Sequence, residues 1–526
     1  MIDWLIKSTL IIDGMGNPSF TGDIAIQGDL ISEVGSLDDI DARNVIKATG
    51  KVVAPGFIDM HSHSDILYLN GSPLPHKIYQ GVTTELIGQD GISVAPVTEA
   101  SKGHLRELIE PLAGSLEYEW EPWDMEESFH RFMEKKPQLN IMTLVGHCNL
   151  RLTVMGHKMD APPPQELDRM GKLLAESLHQ GAMGLSLGLI YPPSSYSETS
   201  ELVSLARVVK KHGGILVAHI RNEQEGQFQA LEEMVTVGRE TGCRIHISHL
   251  KCMGRKNWGK MRKVLERLEH ALKEGIDISF DQYPYEASCT SLSILLPGWA
   301  LEGGWEGFRH RLNNPETFKS ILTSVRESME GRGGAGSIVI ASVQSEENQG
   351  LVGKTLEHLS KERGITPEQA TLNLLIEEKL QVVAIYHAMW KEDVECAMTH
   401  FLGTVGSDGI LGTFPHPRTY GTFSRVISHF SRERNLFSLE EAIRKMTSAP
   451  AKRLNLENRG RIESGVYADL ILFDPKDFRD NASFENPKRL SSGLDWVFVN
   501  GKPVLRHGKV QRIHPGHLIR KIGFRA

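Results

Sequence analysis

Lys51-Val-Val-Ala-Pro-Gly-Phe-Ile-Asp-Met-His-Ser-His-Ser-Asp65 is the stretch whose reading decides the fold. An apolar run passes through Pro55 and Gly56 into Phe57-Ile58, the pattern of a short buried strand. That strand ends in His61-Ser62-His63. Side chains two apart on a strand point to one face. Both imidazoles therefore look into one space, with Asp59 in phase below them. Two neutral imidazoles converging from one strand make half of a divalent-metal site. A pair of surface histidines would need no apolar strand to carry it inward.

Beyond this stretch the chain alternates strands and helices. Strands are predicted over 57–61, 83–87, 141–146, 183–188, 215–219, 245–249, 276–283 and 402–408. Amphipathic helical segments lie between several of them, at 165–179, 199–211, 228–240 and 258–273. Eight strands alternating with helices imply a parallel (β/α)8 barrel of the TIM type. One gap is long. From about 286 to 345 the chain reads as a loop around Ile294-Leu-Leu-Pro-Gly298, a helical pattern and the run Gly331-Arg-Gly-Gly-Ala-Gly336. This predicts a small subdomain inserted over the barrel mouth. Cys289, Trp299 and Trp305 lie in it, to line a pocket or to pack.

The two ends of the chain share a β texture. Leu5–Ile12, Asp23–Gln27 and Leu30-Ile31 read as strands near the start. Ala468–Asp474 and Trp496–Asn500 read as strands near the finish. Neither end is large enough to cover both faces of a sheet. One β-sandwich built from residues 1–55 and 453–526, bracketing a barrel over 56–452, resolves this.

Composition excludes several classes. The 526 residues are 40% hydrophobic and 24% charged, the balance of a globular protein with a sizeable core. A net charge of -7 offers no basic surface for nucleic acid. Five widely spread cysteines make no disulfide framework. No basic segment precedes an apolar one at Met1, and no apolar run approaches the ~20 residues of a membrane span. The expectation is a cytoplasmic protein with no membrane partner; the oligomeric state is left open.

In a parallel barrel the chemistry sits at the C-terminal ends of the strands. Those ends read His61 and His63, Asp90 in Gly88-Gln-Asp-Gly91, His219, His249, and Asp408 in Gly406-Ser-Asp-Gly409. Singly, each has an ordinary structural explanation, as a packed histidine or an Asp-Gly turn. Together, four histidines and two carboxylates at the strand ends of one barrel point to a hydrolase with one or two metal ions. His246 falls on the opposite strand face from His249 and reads as structural. His147, after the third strand, reads equally as a support for the site or as packing.

This arrangement resembles the amidohydrolase superfamily and, within it, the D-aminoacylase (N-acyl-D-amino-acid deacylase) family. The resembling segments are Val53–Asp59, Gly181–Leu189, Ser248–Lys251, Asp281–Ser288, Gly406–Gly409, His416-Pro-Arg-Thr-Tyr-Gly-Thr-Phe423 and Ser448–Ala451. They run in order along nearly the whole chain. The resemblance implies that His219 and His249 hold the tighter metal and His61 and His63 a weaker one. It makes Asp408 the catalytic carboxylate and Lys251, Tyr283 and Arg418 the grip on the substrate's carboxylate. It also implies zinc, as one or two ions, with other divalent metals possible, and a small-molecule N-acyl amino acid as substrate. An arginine fork suits that role, since it binds a carboxylate bidentately.

The chain departs from the family once. Gly88-Gln-Asp-Gly91 stands where the family has Gly-Asn-Cys-Gly, so Asp90 replaces a shared thiolate. A carboxylate also binds or bridges divalent ions, as a harder ligand than sulfur. Two rival readings remain. A cyclic amidohydrolase of the hydantoinase or dihydroorotase type would use a carboxylated lysine near strand four, where Met183–Gly188 has none. A non-catalytic assembly protein on this fold would have shed ligands that this chain keeps.

Overall fold

The structure is a computed structural model and describes residues 1–521. Eight parallel strands form its centre. They are β1 (Phe57–Asp59), β2 (Val82–Ile87), β3 (Asn140–Thr143, continuing as Val145–Gly146) and β4 (Gly184–Gly188), then β5 (Ile215–His219), β6 (Arg244–Ile247), β7 (Ile278–Gln282) and β8 (Gly403–Val405). Each pairs in parallel with the next in sequence order. The ring closes between β8 and β1. Met60 N donates to Val405 O at 3.3 Å, Asp408 N donates to His61 O at 2.8 Å, and Ser62 bridges Gly409 in parallel. The eight strands expected from the sequence are all present. Almost every strand residue is buried, as a sheet covered on both faces requires.

Helices cover the outside. Pro164–Gln180, Thr199–Lys211, Gln227–Thr241 and Met261–Lys273 match the amphipathic segments of the sequence. The last buries Met261, Val264, Leu265, Leu268 and Ala271, an apolar stripe at helical spacing that faces the barrel.

Both ends of the chain enter one nine-stranded sheet. Leu470–Phe473 pairs antiparallel with Val52–Pro55, which joins the C-terminal strands to Ile2–Ile11 and its neighbours. Its core includes Ile6, Ile24, Val53, Leu470, Trp496 and Phe498. Val52–Pro55 runs through Gly56 straight into β1, so this sheet fixes where the first metal-facing strand begins. A Cβ on Gly56 would lie 2.2 Å from Thr83, which leaves room only for glycine. Of the C-terminal part expected over 453–526, residues 522–526 lie outside the described residues.

Over the mouth sits a three-stranded antiparallel sheet of Ser288–Ser291, Val383–Tyr386 and Ile338–Ser342. Phe308, Ile321, Val325, Leu356 and Leu375 form part of a separate core beneath it. Its central strand lies beyond the 286–345 expected for the insertion, which therefore extends at least to Tyr386. The glycine run after Gly331 is a turn between a helix and a strand, not a boundary. Among the described residues, no helix is long and apolar enough to cross a membrane.

Candidate metal centre

Strand ends bring six residues to one point. Asp90 Oδ1 lies 3.5 Å from His61 Nε2, 3.6 Å from His219 Nδ1 and 3.5 Å from His249 Nε2. Its Oδ2 lies 3.7 Å from His63 Nε2. Asp408 Oδ1 completes the group, 3.2 Å from His63 Nε2 and 3.7 Å from His61 Nε2. Two overlapping sets result, His61–His63–Asp90–Asp408 and Asp90–His219–His249, and Asp90 belongs to both. A carboxylate has two oxygens and about four lone-pair sites, so one Asp can serve both halves.

The backbone is bent to achieve this. Asp90, His249 and Asp408 have φ of 54°, 33° and 49°. Left-handed backbone at non-glycine residues costs of order 1–3 kcal/mol each and persists where the surroundings enforce it. At Asp90 the enforcement is visible. Gly88 and Gly91 flank it at φ 76° and 77°, and a Cβ on Gly188 would stand 2.0 Å from Asp90 O.

The donor set fits a metal. His61 Nδ1 and Nε2, His219 Nδ1 and Nε2, and Asp90 Oδ1 are buried without a hydrogen-bond partner. Buried polar atoms left unpaired are costly, and imidazole nitrogens facing a carboxylate oxygen are divalent-metal ligands. Burial opposes charge on His61, but Asp90, Asp408 and Asp281 outweigh it and raise its pKa well above the usual imidazole range. Burial likewise opposes ionisation of Asp90, yet His61, His249 and His219 hold its pKa well below the carboxylate range. His219 goes the other way, lowered chiefly by burial.

A layer of supports lies behind these residues. Asp59 accepts from His61 N at 3.1 Å and from Ser407 N at 2.8 Å, which pins β1 to the end of β8. Lys77 Nζ pairs with Asp59 at 2.6 Å and with Glu85 at 3.0 Å, all three buried. Asp281 accepts from His249 N at 2.9 Å and stands 3.7 Å from His61 Nδ1. Carboxylates in that position orient a ligating imidazole and raise its basicity. Lys77, Glu85 and Asp281 had no periodic signal in the sequence; Asp281 was legible only inside the family segment Asp281–Ser288.

One histidine sits differently from the sequence reading, and another falls to one of its two alternatives, packing away from the site. His246 does not point away from the site. It bonds Ser279 Oγ at 2.7 Å and Asp281 Oδ2 at 3.1 Å, inside the barrel and behind His61. Strand β6 ends at Ile247 and His249 is left-handed, so alternation does not carry through to His249. His147 bonds Ser194 Oγ at 2.7 Å and Glu201 at 2.8 Å, in a separate buried cluster with Arg151.

Of the three residues implied for a substrate carboxylate, only Lys251 lines the cavity over the site, which measures about 620 Å³ including its open mouth. Its Nζ lies 2.6 Å from Glu223 Oε1 and 2.7 Å from His249 Nδ1. A His249 that ligates through Nε2 has Nδ1 as a donor. Glu223, 3.3 Å away, can accept that proton and Lys251 cannot. Glu223, four residues after His219, was missed in the sequence. Burial opposes its charge, but Lys251 and His219 hold its pKa well below the usual range. Arg418 and Tyr283 are fully buried at the floor. Arg418 stacks 4.4 Å above the Tyr283 ring, donates to Cys289 O at 2.9 Å and stands 2.8 Å from Asp408 Oδ2 without hydrogen-bond alignment. Burial opposes charge on Asp408, but Arg418, His61, His63 and His249 together outweigh it and hold its pKa well below the usual carboxylate range.

Fold and site together define a barrel hydrolase with a carboxylate-centred, histidine-rich metal centre. Comparison with known proteins agrees: the amidohydrolase family profile matches residues 44–313 and 343–505. The chain is 33% identical to a D-aminoacylase of Alcaligenes xylosoxydans xylosoxydans, over 98% of this chain and 97% of that one. It is equally similar to an N-acyl-D-glutamate deacylase of the same organism, over 99% and 97%. The crystal structure of the N-acyl-D-glutamate deacylase from Bordetella bronchiseptica, complexed with zinc and a phosphonate mimic of the tetrahedral intermediate, superposes with a TM-score of 0.86 at 32% identity, over 99% of each chain. A D-aminoacylase structure with a binuclear metal centre gives 0.84 at 32% identity, over 99% of this chain and 100% of that one. The chain belongs to the amidohydrolase family, in its D-aminoacylase branch. Hydantoinase and dihydropyrimidinase structures at 13–15% identity share the fold alone.

Proposed function

We propose that this protein hydrolyses the amide bond of N-acyl-D-amino acids, releasing a carboxylic acid and a D-amino acid. The observation that carries the reading is the buried Asp90 carboxylate among four imidazoles, with unpaired nitrogens and oxygen turned toward one another. His219 and His249 with Asp90 would hold one divalent ion, zinc by analogy with the relatives. His61 and His63 with Asp90 would hold a second, beside the Asp408 carboxylate. A bound ion supplies an activated water and polarises the amide carbonyl.

The chain's own residues do the rest. Asp408, kept ionised by Arg418 and the neighbouring histidines, takes the proton of the attacking water on Oδ1, the oxygen that faces His61 and His63. It passes that proton to the leaving amine nitrogen as the C–N bond breaks. Water is thus divided across the bond, hydroxyl to the carbonyl carbon and proton to nitrogen. We assign the α-carboxylate to Lys251, Tyr283 and Arg418; of these Lys251 lines the cavity as it stands, and Arg418 lies buried behind it with an unpaired Nε. The D-preference rests on the relatives. With no nucleic-acid surface in the net charge of -7, we read the protein as a cytoplasmic enzyme of free small molecules.

Replacing Asp408 with Asn keeps size and shape and removes the proton acceptor. The kcat for N-acetyl-D-amino acids should fall by about two orders of magnitude or more. An Asn variant with parental kcat and metal content would overturn the assignment.

A further inference from the structure

Three cations among the described residues line the cavity over the metal centre, and they differ in whether a carboxylate of the protein already faces them. Lys251 pairs with Glu223 at 2.6 Å. Arg221 is held by Glu233 at 3.0 Å and by the carbonyls of Ser195 and Ser197. Arg332 is different. Its Nη1 donates to Ser328 O at 3.0 Å and to Ser328 Oγ at 2.6 Å, within its own helix. Its Nε is buried without a partner, and no carboxylate lies within 4.0 Å among the described residues. The edge formed by Nε and Nη2 is the one with which a guanidinium grips a carboxylate side-on, and it is free.

Its position is fixed by packing. Arg332 follows the helix Pro315–Gly331 of the inserted unit. Gly254, at φ 88°, comes so near that a Cβ there would stand 2.3 Å from Gly331 O. A Cβ on Gly331 would stand 2.9 Å from Gln224 Nε2. The helix end is therefore docked on the loops after β5 and β6, which also carry Glu223 and Lys251. Arg332 is half-buried, with its Nε shielded from solvent and no counter-ion among the described residues, so an arriving carboxylate would meet a cation that the protein does not neutralise. Burial pushes the Arg332 pKa down, against the pull of Tyr386 and Glu223.

We propose that Arg332 is the specificity-determining residue of this pocket, binding a carboxylate on the substrate's amino-acid side chain, so that the preferred substrates are N-acyl-D-amino acids with acidic side chains. This rests on the deacylase reading, in which Lys251, Tyr283 and Arg418 already account for the α-carboxylate. An aliphatic side chain would leave the guanidinium stranded in the occupied pocket.

Isosteric pairs test it on the full-length, zinc-loaded enzyme: N-acetyl-D-glutamate against N-acetyl-D-glutamine, and N-acetyl-D-aspartate against N-acetyl-D-asparagine. In at least one pair kcat/KM should favour the acid by about tenfold or more. Arg332→Gln should lose that preference, with the amide changing by no more than about twofold. Arg332→Lys, which keeps the charge but not the fork, should retain part of it. Parallel losses for acid and amide in Arg332→Gln would overturn the assignment, placing Arg332 on the α-carboxylate or in the scaffold. A parent enzyme that prefers the amide in both pairs would overturn it without any variant, and would leave the deacylase reading intact. A parent that hydrolyses none of these compounds, nor N-acetyl-D-methionine, would overturn both.

Discussion

Asp90 lies within 3.5–3.7 Å of imidazole nitrogens from His61, His63, His219 and His249, so removing its charge touches both halves of the centre at once. Asp90→Asn keeps the turn propensity and the size. It should lower metal affinity by about tenfold or more with the fold intact, read as metal per chain after dialysis against a graded chelator series. Asp90→Cys should keep its metal and shift preference toward zinc, because thiolate is softer. If Asp90→Asn holds metal as tightly as the parent, Asp90 is a turn residue and the histidines and Asp408 alone make the site. The five candidate ligands and the proposed catalytic Asp408 were legible because each follows an apolar strand, and such ends face one mouth in a barrel. Glu85 and Lys77 were not, and Asp281 only through the family segment, because a lone polar residue of this kind carries no period. Their roles exist only once three elements meet.

At the scale of elements, the loop Gly88–Gly91 and the end of β4 are fitted to each other. A Cβ on Gly188 would lie 2.0 Å from Asp90 O, and one on Gly91 would lie 2.6 Å from Gly188 N. Gly188→Ala should therefore move the loop and weaken metal binding by about tenfold, through Asp90 and without changing a ligand. Chelator dialysis of that variant checks it; parental affinity would show that the loop yields elsewhere. The barrel strands could be read from apolar runs of strand length, each closing on a polar residue. Val383–Tyr386 carries the same local signal, yet it pairs antiparallel with two strands of the insertion. Strand direction and partner are set by distant segments, so the extent of the insertion was not in the sequence pattern. Alternation failed at His246 and His249 for a local reason: the strand stops at Ile247 and the chain turns left-handed.

The whole molecule depends on groups buried far from water, and this gives it an acid limit. His76 is buried beside Lys77, with its pKa lowered from 6.5 to about 3, chiefly by burial and then by the neighbouring ammonium. The unfolded chain binds this proton more readily, so stability rises with pH between those values and is lost as pH falls from about 6.5 toward 3. At pH 5 the loss from this one group is roughly 2 kcal/mol. His76→Gln, which cannot protonate, should shrink the drop in Tm between pH 7 and pH 5. An unchanged drop would place the acid sensitivity elsewhere.

The account as a whole is tested by one titration. The purified chain, stripped with a chelator, is given zinc in steps while amine release from N-acetyl-D-methionine, N-acetyl-D-glutamate and their L-enantiomers is followed. The expected result is no hydrolysis without metal, activity that rises with zinc over the first equivalent, and D-substrates favoured over their L-counterparts. Full activity in the stripped enzyme, or no hydrolysis of either D-substrate at any zinc loading, would contradict it.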